Sequence, residues 1–252
     1  MAAKQPIEVR LNRKDSEWAQ KLPHAADIIV PAFYNDPLFA WMFLEDSDEA
    51  RHKKLWLMIR SVIRSAVECG GFVLDAREWG SAMCVSEPGQ KYDGLRTIWK
   101  SDGVSATIAG GLKPTFRLLV SYLGSVDKVK ARVLPGSKLR DCFYVLITAT
   151  KADSRKQGLN SAMTERLLEE ARKVNKPVWL EATTKYSAQQ FTRFGFETVD
   201  EITVGKGQVN AKGEKQAGGE GVTVTGMIWW PEKNQRQQKI EEGEGNGEHT
   251  RN

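Results

Sequence analysis

An α/β fold, with one mixed sheet and helices on both of its faces, is predicted from three observations. Short β-branched runs alternate along the chain with longer segments whose apolar residues recur every three or four positions. One run, Val145 to Thr150, passes through a polar turn, Lys151 to Lys156, into a helical pattern carrying Leu159, Ala162, Met163, Leu167 and Leu168 on one side. No apolar run reaches the roughly 18 residues needed to span a bilayer, so the hydrophobic residues are expected in a core.

The first element is the alternating strand Ile7 to Leu11. From Ser16 a helix follows, with Trp18, Leu22, Ala26, Ile29 and Phe33 at helical spacing, and Asn35-Asp36-Pro37 turns the chain. The aromatics Phe33, Tyr34, Phe39, Trp41 and Phe43 are expected in the core rather than on a substrate wall. Arg51 to Cys69 is a second helix, stopped by Gly70-Gly71. Two short strands, Phe72 to Leu74 and Ser81 to Val85, flank the turn D-A-R-E-W-G. Residues 102–113 are small and Gly-rich, and Pro114 opens a helix with Phe116, Leu119, Val120 and Leu123 as its apolar positions. Val178 to Thr183 is a strand, Ala188 to Phe194 a short helix, and a further strand covers 199–204. Gly205 to Gly221, rich in Gly and Lys, is expected to be a flexible hairpin loop before the last strand, Val222 to Trp230.

Composition narrows the class. With 40% hydrophobic and 27% charged residues the chain is an ordinary globular sequence, long enough for one large domain or two small ones, and residues 1–232 are expected to form one. Residues 233–252 are polar and Gly/Glu-rich and are expected to be a disordered tail. Cys69, Cys84 and Cys142 are odd in number and widely spaced, which suits a reducing, cytoplasmic location and argues against a zinc site; nuclear entry stays open. The N-terminus lacks the apolar core of a signal peptide. The formal charge of +5 is spread among acids rather than clustered with aromatics, so neither a nucleic-acid nor a membrane partner is expected, and monomer and homodimer stay open.

The strand, basic glycine turn and helix start at 144–161 form an anion site in outline. The first backbone N–H groups of a helix have no internal partners and sit at the positive end of its dipole. Gly158 admits a bulky anion to the backbone, and Arg155 and Lys156 add full charges.

R-K-Q-G-L-N at 155–160 resembles motif A of the GNAT (GCN5-related N-acetyltransferase) superfamily, Gln/Arg-x-x-Gly-x-Gly/Ala, with Asn160 in place of the final small residue. Downstream, V-W-L-E-A-T-T-K-Y-S-A-Q-Q-F-T-R-F-G-F resembles motif B in the right order and separation. The segment A-D-I-I-V-P-A-F-Y-N-D-P-L-F-A-W-M-F-L-E-D resembles the first helix and loop of the puromycin-acetyltransferase-like, small-molecule branch.

This resemblance implies a GNAT topology in which the motif A and motif B strands splay apart. Acetyl-CoA is the implied cosubstrate, with no metal. Its pantetheine would run along Thr148, Ala149 and Thr150, beside Phe191, and its pyrophosphate would rest on Lys156, Gln157, Gly158, Leu159, Asn160 and Ser161 with Arg155. The implied chemistry is direct attack of an amine on the thioester. It requires a deprotonated amine, an oxyanion donor (a backbone N–H at Ala149 or Thr150) and a proton for the thiolate. Glu181 is the candidate for orienting the amine or passing its proton to water; a surface-edge carboxylate in a salt bridge is the alternative. Tyr144 matches a Tyr common on this strand and either faces the acceptor pocket or packs.

Motif B usually carries its general acid in Tyr-x-x-x-Gly-Phe. Here that place holds Phe191, and Ser187 replaces the usual Asn; Tyr186 or Ser187 at the same cleft is the candidate substitute acid. The sequence thus points first to N-acetylation of a small xenobiotic or metabolite amine. A protein lysine or N-terminal acetyltransferase and a non-catalytic acyl-CoA-binding module are the alternatives. Residues 90–138 are where substrate specificity is expected to reside.

Overall fold

The computed structural model describes residues 6–90 and 111–232. The expectations for 102–110 and for the tail lie outside them. Seven strands form one sheet in the order β1-β2-β3-β4-β5-β7-β6: β1 (Val9–Asn12), β2 (Phe72–Ala76), β3 (Ser81–Ser86), β4 (Phe143–Thr150), β5 (Val178–Ala182), β6 (Glu197–Val204) and β7 (Val222–Trp229). Every neighbouring pair is antiparallel except β4 and β5, which run parallel.

The helices divide between the two faces. On one lie α1 (Trp18–Phe33), α2 (Pro37–Met42), α3 (Asp48–Glu68) and a helical stretch made of α4 (Leu112–Phe116), a π-helical turn Arg117–Tyr122 and α5 (Leu123–Lys130). On the other lie α6 (Leu159–Lys173) and α7 (Lys185–Thr192), which pack Met163, Leu167 and Phe191 against Phe72, Val145 and Leu180. The mixed sheet covered on both faces is the fold class the sequence predicts.

Local chemistry explains the elements that carry the site. Asp36 caps α2 by accepting the Leu38 N–H at 2.9 Å, with Pro37 in the first turn, so the predicted turn is also a helix start. Thr184 and Ser187 form a capping box for α7. Gly158, at φ 82°, is the left-handed residue from which α6 starts.

Two expectations are corrected. The 205–221 segment is not a flexible loop: backbone bonds such as Gly207 N–H to Gly219 C=O and Gly221 N–H to Val209 C=O fold it into a compact hairpin around the fully buried Val209. Its glycines let it close on α2, since a Cβ at Gly213 would stand 2.2 Å from the Pro37 carbonyl oxygen. In the Pro114 helix, Phe116, Leu119 and Val120 are exposed, while Tyr122, Val126 and Val129 are buried. Tyr122, Val126 and Val129 also recur at three-to-four spacing, so the stretch carries two apolar faces, and the one that the sequence does not single out packs inward.

Candidate active site

The site begins where β4 and β5 part. They pair only through Phe143↔Val178, Tyr144↔Trp179 and Val145↔Leu180, although β4 continues to Thr150 and β5 to Ala182. The ladder to β3 slips at the same level: Cys84 faces Ile147 and Val85 faces Val145, which leaves Leu146 as a bulged residue. Beyond it the two strands enclose a wedge lined by Leu146, Ile147 and Thr148 on one side and Glu181, Ala182 and Thr183 on the other.

The wedge opens into a cavity of about 280 Å³ whose walls come from α1–α2, α3 and the π turn. Phe33, Phe39, Met58, Leu118 and Leu123 make those walls apolar. Phe33, Phe39 and Phe43, expected in the core ahead of a substrate wall, pack the interior and face the cavity together. Arg117 of the π turn clasps both carboxylate oxygens of Glu45, at 2.7 and 2.6 Å, and the Met42 carbonyl at 3.1 Å, joining two of the walls.

At the base of the wedge stands Glu181. One carboxylate oxygen accepts the Tyr144 hydroxyl at 2.7 Å and the Tyr122 hydroxyl at 3.2 Å; the other accepts the Trp179 indole N–H. Burial pushes its pKa above the usual carboxylate range, against the pull of Tyr144, Trp179, Lys130 and Tyr122. A carboxylate has about four lone-pair sites, so three donors leave roughly one for a ligand N–H. Glu181 therefore sits on the cavity floor, not in a surface salt bridge, and Tyr144 both faces the cavity and packs.

The other predicted residues divide. Thr148 donates its hydroxyl to the Asn160 side-chain oxygen at 2.9 Å, linking β4 to the first turn of α6. Arg155 and Lys156 are exposed and, among the described residues, in no ion pair. Gln157 accepts from Arg77, which reaches over from the β2–β3 turn, and donates to the Asp153 carbonyl at 3.1 Å. Leu159 is core, and Ser161 follows on the partly exposed side of α6. Thr150 shares a 2.7 Å hydrogen bond with Ser81, whose hydroxyl also contacts the Ala149 carbonyl at 2.8 Å. Phe191 lines the cavity and packs edge-on against Phe196 at 5.4 Å. Ser187 reaches the cavity too, but its hydroxyl bonds the Thr184 carbonyl at 2.9 Å. Tyr186 is 69% exposed and does not line the cavity.

Sequence reasoning missed four side chains here. Tyr122 and Trp179 complete the grip on Glu181, and Lys130 packs behind Tyr144 and Trp179. Asp36 is buried beside the wedge, where a hydrogen bond from Thr183 offsets part of the rise in its pKa that burial causes. Trp179 and Asp36 stand inside the quoted motif segments; Tyr122 stands outside them, and its one signal is the helical spacing it shares with Val126 and Val129.

No protein-family model and no curated protein sequence matches the chain. Solved structures do. The chain is similar to a polyamine N-acetyltransferase of Drosophila melanogaster (16% identity, TM-score 0.54, covering 88% of this chain and 100% of that one). It is similar to a mosquito arylalkylamine N-acetyltransferase-like protein (16%, TM-score 0.55, 89% and 100%) and to a Corynebacterium glutamicum protein described as a histone acetyltransferase and related acetyltransferase (19%, TM-score 0.52, 87% and 94%). These neighbours are GNAT acetyltransferases. The chain has their fold, with the wedge between its parallel strands.

Proposed function

We propose that this protein is an acetyl-CoA-dependent N-acetyltransferase whose acceptor is a small, largely apolar monoamine. The observation that carries the reading is a single one: the wedge between β4 and β5 opens directly into an apolar cavity with one carboxylate, Glu181, at its base.

The cosubstrate fits the residues present. The backbone edge of Thr148 to Thr150 freed by the splay can pair with the amides of pantetheine as an added strand. The start of α6 offers N–H groups without intrahelical partners for the pyrophosphate, and the exposed Arg155 and Lys156 supply charge. Asn160 is tied to Thr148 and so is held beside this path rather than swinging across it.

In the reaction, the amine nitrogen attacks the thioester carbonyl. The C–N bond forms, the C–S bond breaks, and CoA leaves as a thiolate that takes up a proton. A β4 backbone N–H on the wedge side steadies the oxyanion, and Glu181 accepts the proton from nitrogen. Among the described residues lining the cavity, Glu181 is the one formally charged side chain. A second ammonium on the acceptor would be buried without a partner there, which is costly. Neighbouring folds are named for polyamine and for arylalkylamine substrates, and the apolar walls favour the second kind of acceptor. Comparing hexylamine with 1,6-diaminohexane in a CoA-release assay tests this: kcat/KM should favour the monoamine by at least about tenfold. Preference for the diamine would refute it.

One observation favours a second reading, a non-catalytic acyl-CoA-binding module. The cavity position where a hydroxyl would serve the leaving thiolate holds the phenyl ring of Phe191. Acetyl-CoA binding without CoA release from any amine would select it.

A further inference from the structure

Nothing in the proposed reaction yet uses Lys130. It ends α5, is only 4% exposed, and among the described residues forms no ion pair with a carboxylate. Its ammonium instead sits 4.6 Å from the centroid of the Tyr144 ring and 5.8 Å from that of Trp179. Tyr144 and Trp179 are register partners across β4 and β5, and their polar ends donate to different oxygens of Glu181. Cation and carboxylate thus meet the same two side chains, the cation near their ring faces and the carboxylate at their polar edges. A cation over a ring face is attracted by the ring's electron density and draws on it, which strengthens the O–H or N–H donor at the ring's edge.

We propose that Lys130 is a positioning residue that acts through Tyr144 and Trp179 as the counter-charge of Glu181, keeping that carboxylate ionised in an apolar cavity. The last step, acceptance of the amine's proton, rests on the function proposed above; the charge coupling itself does not.

The surroundings of both groups support the pairing. Glu181 is faced by Tyr122 from the π turn, Tyr144 from β4, Trp179 from β5 and Lys130 from α5. Lys130 is therefore the only cation in that set, and its field opposes the burial that would protonate Glu181. On its other side a small polar pocket brings Glu87, Asp127, Arg140 and Cys142 near Lys130. Arg140 supplies positive charge there, and the Cys142 thiol is held above its usual pKa by burial, which keeps it neutral. A lysine serving only the surface acids of that pocket would not need its ammonium over two rings that both grip Glu181.

The test uses Lys130→Met, Lys130→Arg, Glu181→Gln and the double variant Lys130→Met/Glu181→Gln. For Lys130→Met, the acid limb of kcat/KM should move up by about one pH unit, so activity falls by up to about tenfold on that limb and returns on the plateau above it. The KM for acetyl-CoA should stay unchanged, and Lys130→Arg should restore the wild-type profile. A folded Lys130→Met with an unshifted profile overturns the proposal. Urea unfolding supplies a readout independent of acetyl transfer. Removing both charges should be less damaging than the two single losses combined, with a coupling of about tenfold or more in the unfolding constant. If Lys130→Met alone does not fold, the double variant should. Additive effects, or a double variant as unstable as the sum of the singles, overturn the proposal whether or not the protein turns over any amine.

Discussion

The Thr148 hydroxyl donates to the Asn160 side chain at 2.9 Å, joining the strand edge proposed for pantetheine to the helix turn proposed for pyrophosphate. Asn160 is also where the motif departs from a small residue. Since backbone N–H groups rather than this side chain would hold the phosphates, Asn160→Ala should change the acetyl-CoA Kd by less than about fivefold. Arg155→Ala should weaken it by about tenfold, and Gly158→Glu by more, because it adds negative charge and puts a Cβ on a residue at φ 82°. Isothermal titration checks all three. Equal affinity for Arg155→Ala, Gly158→Glu and the wild type would remove the cosubstrate assignment.

The pH dependence has two opposite slopes. Burial raises the Glu181 pKa above the usual value of about 4.3, so the folded state holds that proton more tightly than the unfolded chain does. Stability from this group is therefore lost as pH rises from the unfolded through the folded pKa, while the basic form needed for catalysis appears across the same window. The acid limb of kcat/KM should have its midpoint above the ordinary carboxylate range, and Glu181→Gln should abolish the limb with a loss of about 10²-fold or more in rate. A Glu181→Gln enzyme of normal rate would exclude the carboxylate as the base.

Phe191→Tyr places a hydroxyl on a ring that lines the cavity and packs against Phe196. It should raise kcat, by at most about 10²-fold, if thiolate departure limits the rate. Tyr186→Phe should be silent, since that ring is 69% exposed and outside the cavity. Ser187→Ala should cost about 1 kcal/mol through its capping box, visible in Tm before kcat. A slower Phe191→Tyr with a normal Tm would mean that the ring packs for substrate shape alone.

The folded hairpin 205–221 leads to a prediction that the sequence by itself would not suggest. Gly213→Val would drive a side chain into the Pro37 carbonyl and the Ala40 methyl, displacing the cavity wall that carries Phe39 and Met42. Stability should fall by about 2 kcal/mol, and the amine KM should rise while acetyl-CoA affinity holds. An unchanged amine KM would detach the hairpin from the acceptor pocket.

The strand-turn-helix from Tyr144 to Ala171 was legible because β-branched periodicity, a glycine and an amphipathic repeat agree there. Glu181 and Tyr144 were legible as candidates through the resemblance of their two strands to the family's. Their company was not. Tyr122 reaches Glu181 from the helical face it shares with Val126 and Val129, not from the more apolar face with Phe116, Leu119 and Val120 that the sequence singles out, and Lys130, charged and near a helix end, reads in sequence as surface. The 205–221 segment misled for a related reason: its glycines permit close backbone packing on α2, whereas composition alone equates glycine with freedom.

The most direct measurement mixes the protein with acetyl-CoA and 2-phenylethylamine, follows free thiol, and weighs the product by mass spectrometry. The account predicts one CoA released per N-acetylphenylethylamine formed, at a rate that collapses in Glu181→Gln while acetyl-CoA still binds. Tight binding of acetyl-CoA with no amide from this or any amine of a broad apolar panel would contradict it and leave a binding module in place of an enzyme.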